Sequence, residues 1–256
     1  MKLNDIQNQK DTRNTPINKV GVKGLKYPVV LQDRTNGTQN SIADINMYVE
    51  LPHEFRGTHM SRFVEILHHY HKETIIDNLE KLLLEMKKKL DADVAYLEME
   101  FPYFIQKEAP ITKEKSLMSY NCGFKANLKK KFELEMFAKV PVVSLCPCSK
   151  EISEYSAHNQ RAYITLSVSY KQFIWLEELI LFAENASSSE IFSLLKRPDE
   201  KFITEKSYDN PKFVEDIARD IAQILQNDVR ITSYKIEAES IESIHNHNAY
   251  AMIKSE

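Results

Sequence analysis

An α+β fold, built from antiparallel sheets with helices on one face, is predicted by three features of the sequence. Several stretches alternate apolar and polar residues with the period of two that marks a half-buried strand. Others repeat apolar residues at three and four, the period of an amphipathic helix. The order strand-strand-helix-helix-strand-strand occurs twice, with a boundary near Asn127. Two modules are therefore expected, over 16–127 and 128–256, behind a flexible tail over 1–15 that is polar and without periodicity. Four strands per module leave long open edges, which invite aggregation. Closing the sheets into barrels on oligomerisation removes those edges, so an obligate oligomer is expected.

The first strand, VGVKGLKYPVVL over 20–31, is irregular near its glycines and Pro28. A turn-like DRTNGTQN follows, then ADINMYVEL. There Ala43, Ile45, Met47, Val49 and Leu51 share one face, and Asp44, Asn46, Tyr48 and Glu50 share the other. The two strands form a hairpin. Phe63, Ile66, Leu67 and Tyr70 set the first helix, and Ile75, Leu79, Leu82, Leu83, Met86 and Leu90 set the second. Residues 93–106 and 116–126 return to strand, with ITKEK as a solvated connection. In the second half Phe132, Leu134, Met136, Ala138 and Val140 alternate with Lys131, Glu133, Glu135, Phe137 and Lys139. Ile164, Leu166, Val168 and Tyr170 alternate in the same way with their neighbours. Helical segments are expected over 172–185 and 211–226, the latter opened by Asn210-Pro211. Strands over 229–239 and 248–254 close the chain.

Composition narrows the function. With 256 residues, 43% hydrophobic and 28% charged, the chain can bury a substantial core. A formal net charge of −3 gives no global field for nucleic acid. Only five glycines are present and no GxGxxG or GxxxxGK[ST] loop occurs, so any phosphorylated ligand is held by side chains and ordinary helix ends. Three cysteines, two of them one residue apart, read as metal or thiol chemistry in a reducing cytoplasm rather than as a disulfide framework. The N-terminus lacks the apolar core of a signal peptide, and no stretch approaches the length of a membrane span. A soluble, cytoplasmic protein is expected.

The chemistry concentrates in VPVVSLCPCSKEISEYSAHNQRAYI, over 140–164. Cys146 and Cys148 flank one proline, and His158 stands immediately ahead of a strand. Thiolate and imidazole are ligands that zinc prefers, although the same pair could be a nucleophile and its base. A catalytic metal keeps one position open, so three protein ligands are expected, the third from Cys148 or from farther on. RPDEK, over 197–201, offers Asp199 and Glu200 in a polar connector; the plainer reading is a solvated charge run. Glu215 falls in the first turn of a helix, where it either complements the helix dipole or accepts paired N–H bonds from a purine edge. His245 and His247 face the same way if extended and could bind metal or phosphate, or be surface residues. His68, His69 and His71 read as mostly solvated, as do the lysine runs over 87–89 and 129–131.

The runs SLCPCSKEIS and AHNQRA, with LLKRPDEKF, NPKFVEDIARD and FRGTHMSRF, closely resemble the type IB GTP cyclohydrolases over most of the chain. The resemblance implies tandem tunnelling-fold (ββααββ) modules that close into barrels, in a homotetramer with active sites at subunit interfaces. It implies a divalent metal, Zn2+ or Mn2+, on Cys146, His158 and Glu200, with Cys148 near it and exchangeable with water. It assigns guanine to Glu215 and active-site roles to His245 and His247, while Lys150, Arg62 and Arg56 are candidates for the triphosphate. The implied activity is hydrolysis of GTP to 7,8-dihydroneopterin triphosphate and formate, the first step of pterin and folate synthesis. Neither nucleic acid nor membrane is an expected partner. Two rivals are a tunnelling-fold, NADPH-dependent nitrile reductase with a cysteine nucleophile and a non-catalytic zinc-binding module. The grouping of His158 and Glu200 with Cys146 disfavours the first, and the second requires a closed four-ligand site.

Overall fold

A computed structural model describes Gln7 and residues 11–255 of the chain. The elements are β1 (Ile17–Asp33), β2 (Gly37–Leu51), α1 (Met60–His69), α2 (Ile75–Leu90), β3 (Ala95–Glu108) and β4 (Lys115–Leu128), then β5 (Phe132–Leu145), α3 (Pro147–Ile152), β6 (Asn159–Tyr170), α4 (Leu176–Ala186), β7 (Ser189–Glu190), α5 (Arg197–Asp209), α6 (Val214–Asn227), β8 (Ile231–Ser240) and β9 (Ala249–Lys254). The strands follow the order β1-β2-β3-β4-β5-β6-β8-β9, with β7 paired to β5. An α+β architecture on an antiparallel sheet is therefore what the periodicities foretold. No helix among the described residues is long and apolar enough to cross a membrane. Most of the tail expected over 1–15 lies outside the described residues; Asp11 donates its N–H to the Glu54 carbonyl at 3.1 Å.

The chain falls into two compact units. The first runs through Phe101 and includes Gly123–Glu135; the second holds Pro102–Cys122 and everything from Met136 onward. In the first unit β1 and β2 pair as the expected hairpin, Val29 opposite Ser41 and Leu31 opposite Gln39. Ala43, Ile45, Met47, Val49 and Leu51 are all buried, and α2 lays Leu79, Leu82, Leu83 and Met86 against the hairpin, each fully covered. Each such aliphatic side chain contributes roughly 1.5–3 kcal/mol. Gly21 is required by contact: a Cβ there would stand 2.0 Å from the Met47 carbonyl oxygen across the hairpin.

In the second unit β6 pairs with β8 and β8 with β9, all antiparallel. The apolar face of α6, with Val214, Ile217, Ala218, Ile221 and Leu225 buried, packs on β8 and β9 and against α4. A half-buried ion pair, Lys107 Nζ to Glu184 Oε1 at 2.7 Å, ties β3 to α4, and Tyr120 donates its hydroxyl to the same oxygen at 2.7 Å.

Three local expectations change. RPDEK is the first turn of the helix α5 rather than a connector, with Pro198 near its start, where its missing N–H costs nothing. This helix buries only Asp199 and Ser207, both polar, so it carries no apolar stripe to read. Phe137 is buried despite standing in the polar register of β5. The short α3 buries no residue and has no helical periodicity to detect.

Candidate active site

Four segments of the second unit meet around the end of β5, each fixed by backbone chemistry. Cys146 donates its N–H to the His158 carbonyl at 3.2 Å, which pins the two candidate donors together through the main chain. Cys146 is also the N-cap of α3: its Sγ accepts from the Ser149 N–H at 3.5 Å, and Pro147 follows it. The start of α6 is tied to the same place, with Lys212 N–H on the Leu145 carbonyl at 3.1 Å and Ser144 Oγ on the Lys212 carbonyl at 3.1 Å. The end of α5 is held by Lys150, whose Nζ donates to the Tyr208 carbonyl at 2.6 Å and lies 4.2 Å from the Tyr208 ring centre. The loop over 241–248 joins through Ile241 N–H on the Arg161 carbonyl at 2.9 Å.

His158 is half-buried and its ring is positioned by side chains. Its Nδ1 lies 2.8 Å from Gln160 Oε1 and 3.3 Å from Ser243 Oγ. Gln160 in turn donates Nε2–H to Glu242 Oε1 at 3.3 Å. Sequence reading passed over Gln160, Glu242 and Ser243. A signal for Gln160 was present, because residues i and i+2 at a strand entrance share a face. Nothing local points from there to residues 242 and 243.

The predicted carboxylates behave differently from their neighbours. Asp199 is fully buried and makes the cap of α5: its oxygens accept from the N–H groups of Ile111, Thr112 and Lys196 and from Thr112 Oγ1, at 2.6–2.9 Å. Burial alone would raise its pKa, but these bonds outweigh it and hold the carboxyl well below the usual range. Glu200, next to it, is exposed, and its carboxylate makes no hydrogen bond or ion pair among the described residues. The same division recurs on α6. Asp216 caps that helix by accepting the Phe213 N–H at 3.1 Å, which leaves the exposed Glu215 uncommitted among the described residues.

Cys148 is exposed on α3. His245 and His247 are exposed, with rings stacked at 5.1 Å and 16° between planes, so the two do face the same way. Arg62 belongs to the first unit, where its Nη1 donates to the Lys89 carbonyl at 2.9 Å and caps α2. Among the described residues no three His, Cys, Asp or Glu side chains gather into a metal-sized group. Cys146 and His158 are joined through the main chain, and Glu200 lies on α5. It precedes Tyr208 by eight positions of α5, which at 1.5 Å per residue is roughly 12 Å of helix rise.

The fold and the site define a class first. The architecture is that of the tunnelling-fold proteins, shared with solved urate oxidases from Bacillus sp. TB-90 (TM-score 0.59, 11% identity, 93% of this chain and 99% of that one) and Bacillus subtilis 168 (TM-score 0.54, 11% identity, 93% and 98%). At that identity the likeness concerns the fold alone. Sequence is more specific: the profile of the type I GTP cyclohydrolase folE2 family matches residues 3–251. GTP cyclohydrolase FolE2 of Geotalea uraniireducens is 54% identical over 252 residues, covering 98% of this chain and 93% of the relative. That of Thermosipho africanus is 53% identical over 255 residues, covering 99% and 98%. The chain belongs to the type I GTP cyclohydrolase folE2 family.

Proposed function

We propose that this protein is a cytoplasmic GTP cyclohydrolase that converts GTP to 7,8-dihydroneopterin triphosphate and formate, using a divalent metal held by Cys146, His158 and Glu200. The observation that carries the metal reading is the Cys146–His158 pair. A main-chain bond joins the two residues, and the imidazole is held through Nδ1, which leaves Nε2 as the ring nitrogen for a metal. One thiolate, one imidazole and one uncommitted carboxylate suit Zn2+ or Mn2+, so the residues fit the group. When bound, the ion supplies Lewis-acid catalysis of hydration at neutral pH.

Each remaining step falls to side chains of this chain. Glu215, left open because Asp216 makes the cap, accepts guanine N1–H and N2–H together. Adenine cannot present that pair of donors, so the carboxylate sets the base preference. His245 or His247 delivers a proton to N7 as C8 is hydrated, a general-acid role that an imidazole can fill. Opening of the hydrated imidazole ring leaves a formamide, which a second water cleaves to formate and a free amine. The rearranged ribose carbonyl condenses with that amine, losing one water as the new ring closes. Lys150 uses one of its three N–H groups on Tyr208 and retains two for the triphosphate.

We further propose a homotetramer of paired ββααββ modules, 16–127 and 128–256, with active sites at subunit interfaces. Support comes from Glu200, exposed and uncommitted among the described residues. In the assembly it serves the site of a neighbouring copy. Chelator stripping followed by restoration of single metals tests the metal reading. Formate release with Mn2+ should at least match that with Zn2+, because a carboxylate donor is harder than a second thiolate. Activity with Zn2+ alone would instead place Cys148 on the metal and remove Glu200.

A further inference from the structure

We propose that Gln160 is a positioning residue for His158, locking the ring in the Nδ1–H tautomer, and that Glu242 fixes the direction of this relay. The inference rests on the metal reading above, and it follows from donor and acceptor counting. A carboxylate can only accept, so the group of Gln160 facing Glu242 Oε1 at 3.3 Å must be its NH2. The amide carbonyl oxygen is thereby turned toward His158, 2.8 Å from Nδ1. That oxygen can only accept, so Nδ1 must carry the proton. Ser243 Oγ, 3.3 Å from the same nitrogen, accepts a second share of it. The lone pair of neutral His158 is then confined to Nε2, the nitrogen left to face a metal. Glu242 and Ser243 come from the loop that also carries His245 and His247, so the relay couples the position of that loop to the donor nitrogen.

Outer partners of this kind raise the basicity of a ligating histidine and fix its orientation, and losing one costs about 10–100-fold in metal affinity. Two substitutions and one double exchange probe the relay. Gln160→Leu removes the acceptor. Glu242→Gln removes the group that dictates which way the amide points. The double exchange Gln160→Glu, Glu242→Gln restores an obligate acceptor beside Nδ1, now with residue 242 donating to it.

The test uses metal-free, 15N-histidine-labelled full-length protein at about pH 8.5, where free imidazoles are neutral. Long-range 1H–15N correlation reads the tautomer of His158, assigned by the resonance lost in His158→Gln. Chelator competition reads the affinity for Zn2+ and for Mn2+. Wild type should show Nδ1–H. Gln160→Leu should shift His158 toward a tautomer mixture and weaken metal binding by about 10–100-fold, and the double exchange should recover both. A wild-type His158 protonated on Nε2 would overturn the relay, as would a Gln160→Leu protein with tautomer and affinity unchanged. Wild-type protein that shows the Nδ1–H tautomer but binds neither metal would instead overturn the metal reading on which the positioning role depends. Circular dichroism and oligomer size of each variant separate these results from misfolding.

Discussion

Mixing two inactive variants tests whether one active site draws on two copies of the chain. Cys146→Ala removes a proposed donor next to His158, and Glu200→Ala removes the carboxylate that the structure leaves exposed and uncommitted. Lys150 anchors α3 to the far end of α5, so the helix itself separates Glu200 from that anchor by roughly 12 Å of rise. If each site takes Cys146 and His158 from one copy and Glu200 from a neighbour, the variants complement. In randomly mixed oligomers from equal co-expression, half the sites have an intact cysteine and half of those receive an intact glutamate. About a quarter of wild-type activity should therefore return, whatever the size of the symmetric ring. The assay is formate release from GTP by the co-purified oligomers, with each variant alone as the blank. No recovery in oligomers shown by two affinity tags to contain both chains would refute the cross-subunit assignment.

Three further outcomes follow from the same geometry. Cys146→Ala and His158→Ala should each abolish turnover while the oligomer persists by light scattering, and exposed Cys148→Ala should be milder; equal loss in all three would make Cys148 a true donor. Glu215→Gln forfeits one charge-assisted hydrogen bond of about 1.5–3 kcal/mol, so kcat/KM for GTP should fall roughly 10–100-fold with stability unchanged, and an unaltered kcat/KM would remove Glu215 from guanine recognition. Asp199→Ala should instead act on stability, by roughly 3 kcal/mol at pH 7, because several buried donors lose a charged acceptor. Its folded carboxyl lies below the usual range, so this contribution is present at neutral pH and is lost as pH falls below about 4. Thermal melts of wild type and variant should therefore converge in acid, and a constant gap down to the acid limit would contradict the account.

The parts of the fold that were legible in the sequence are those that bury an apolar face. Ala43 to Leu51 alternates because β2 packs one face on helices, and α2 shows its stripe because Leu79, Leu82, Leu83 and Met86 meet the hairpin. The helix α5 escaped because it is held by a polar cap, Asp199 on the Ile111 and Thr112 N–H groups, rather than by an apolar stripe. The two-residue β7 and the six-residue α3 are too short to show any period. At the site, spacing left the partnership of Cys146 and His158 open between metal and nucleophile readings; a main-chain bond closes the loop between them. The relay through Gln160 to Glu242 could not be read from spacing, since its partners are 82 residues apart in the chain. The roles of Asp199 and Asp216 were hidden for a related reason: which of two adjacent acids caps a helix depends on the turn geometry, and only the other is left available for chemistry.

The most direct test of the central claim is the reaction itself. Purified protein loaded with Mn2+ or Zn2+ is incubated with GTP at neutral pH, and formate is measured beside the fluorescence of the oxidised pterin product. The account predicts one formate and one pterin for each GTP consumed, with neither formed from ATP. Absence of formate with either metal, from folded oligomeric protein that binds GTP, would contradict it.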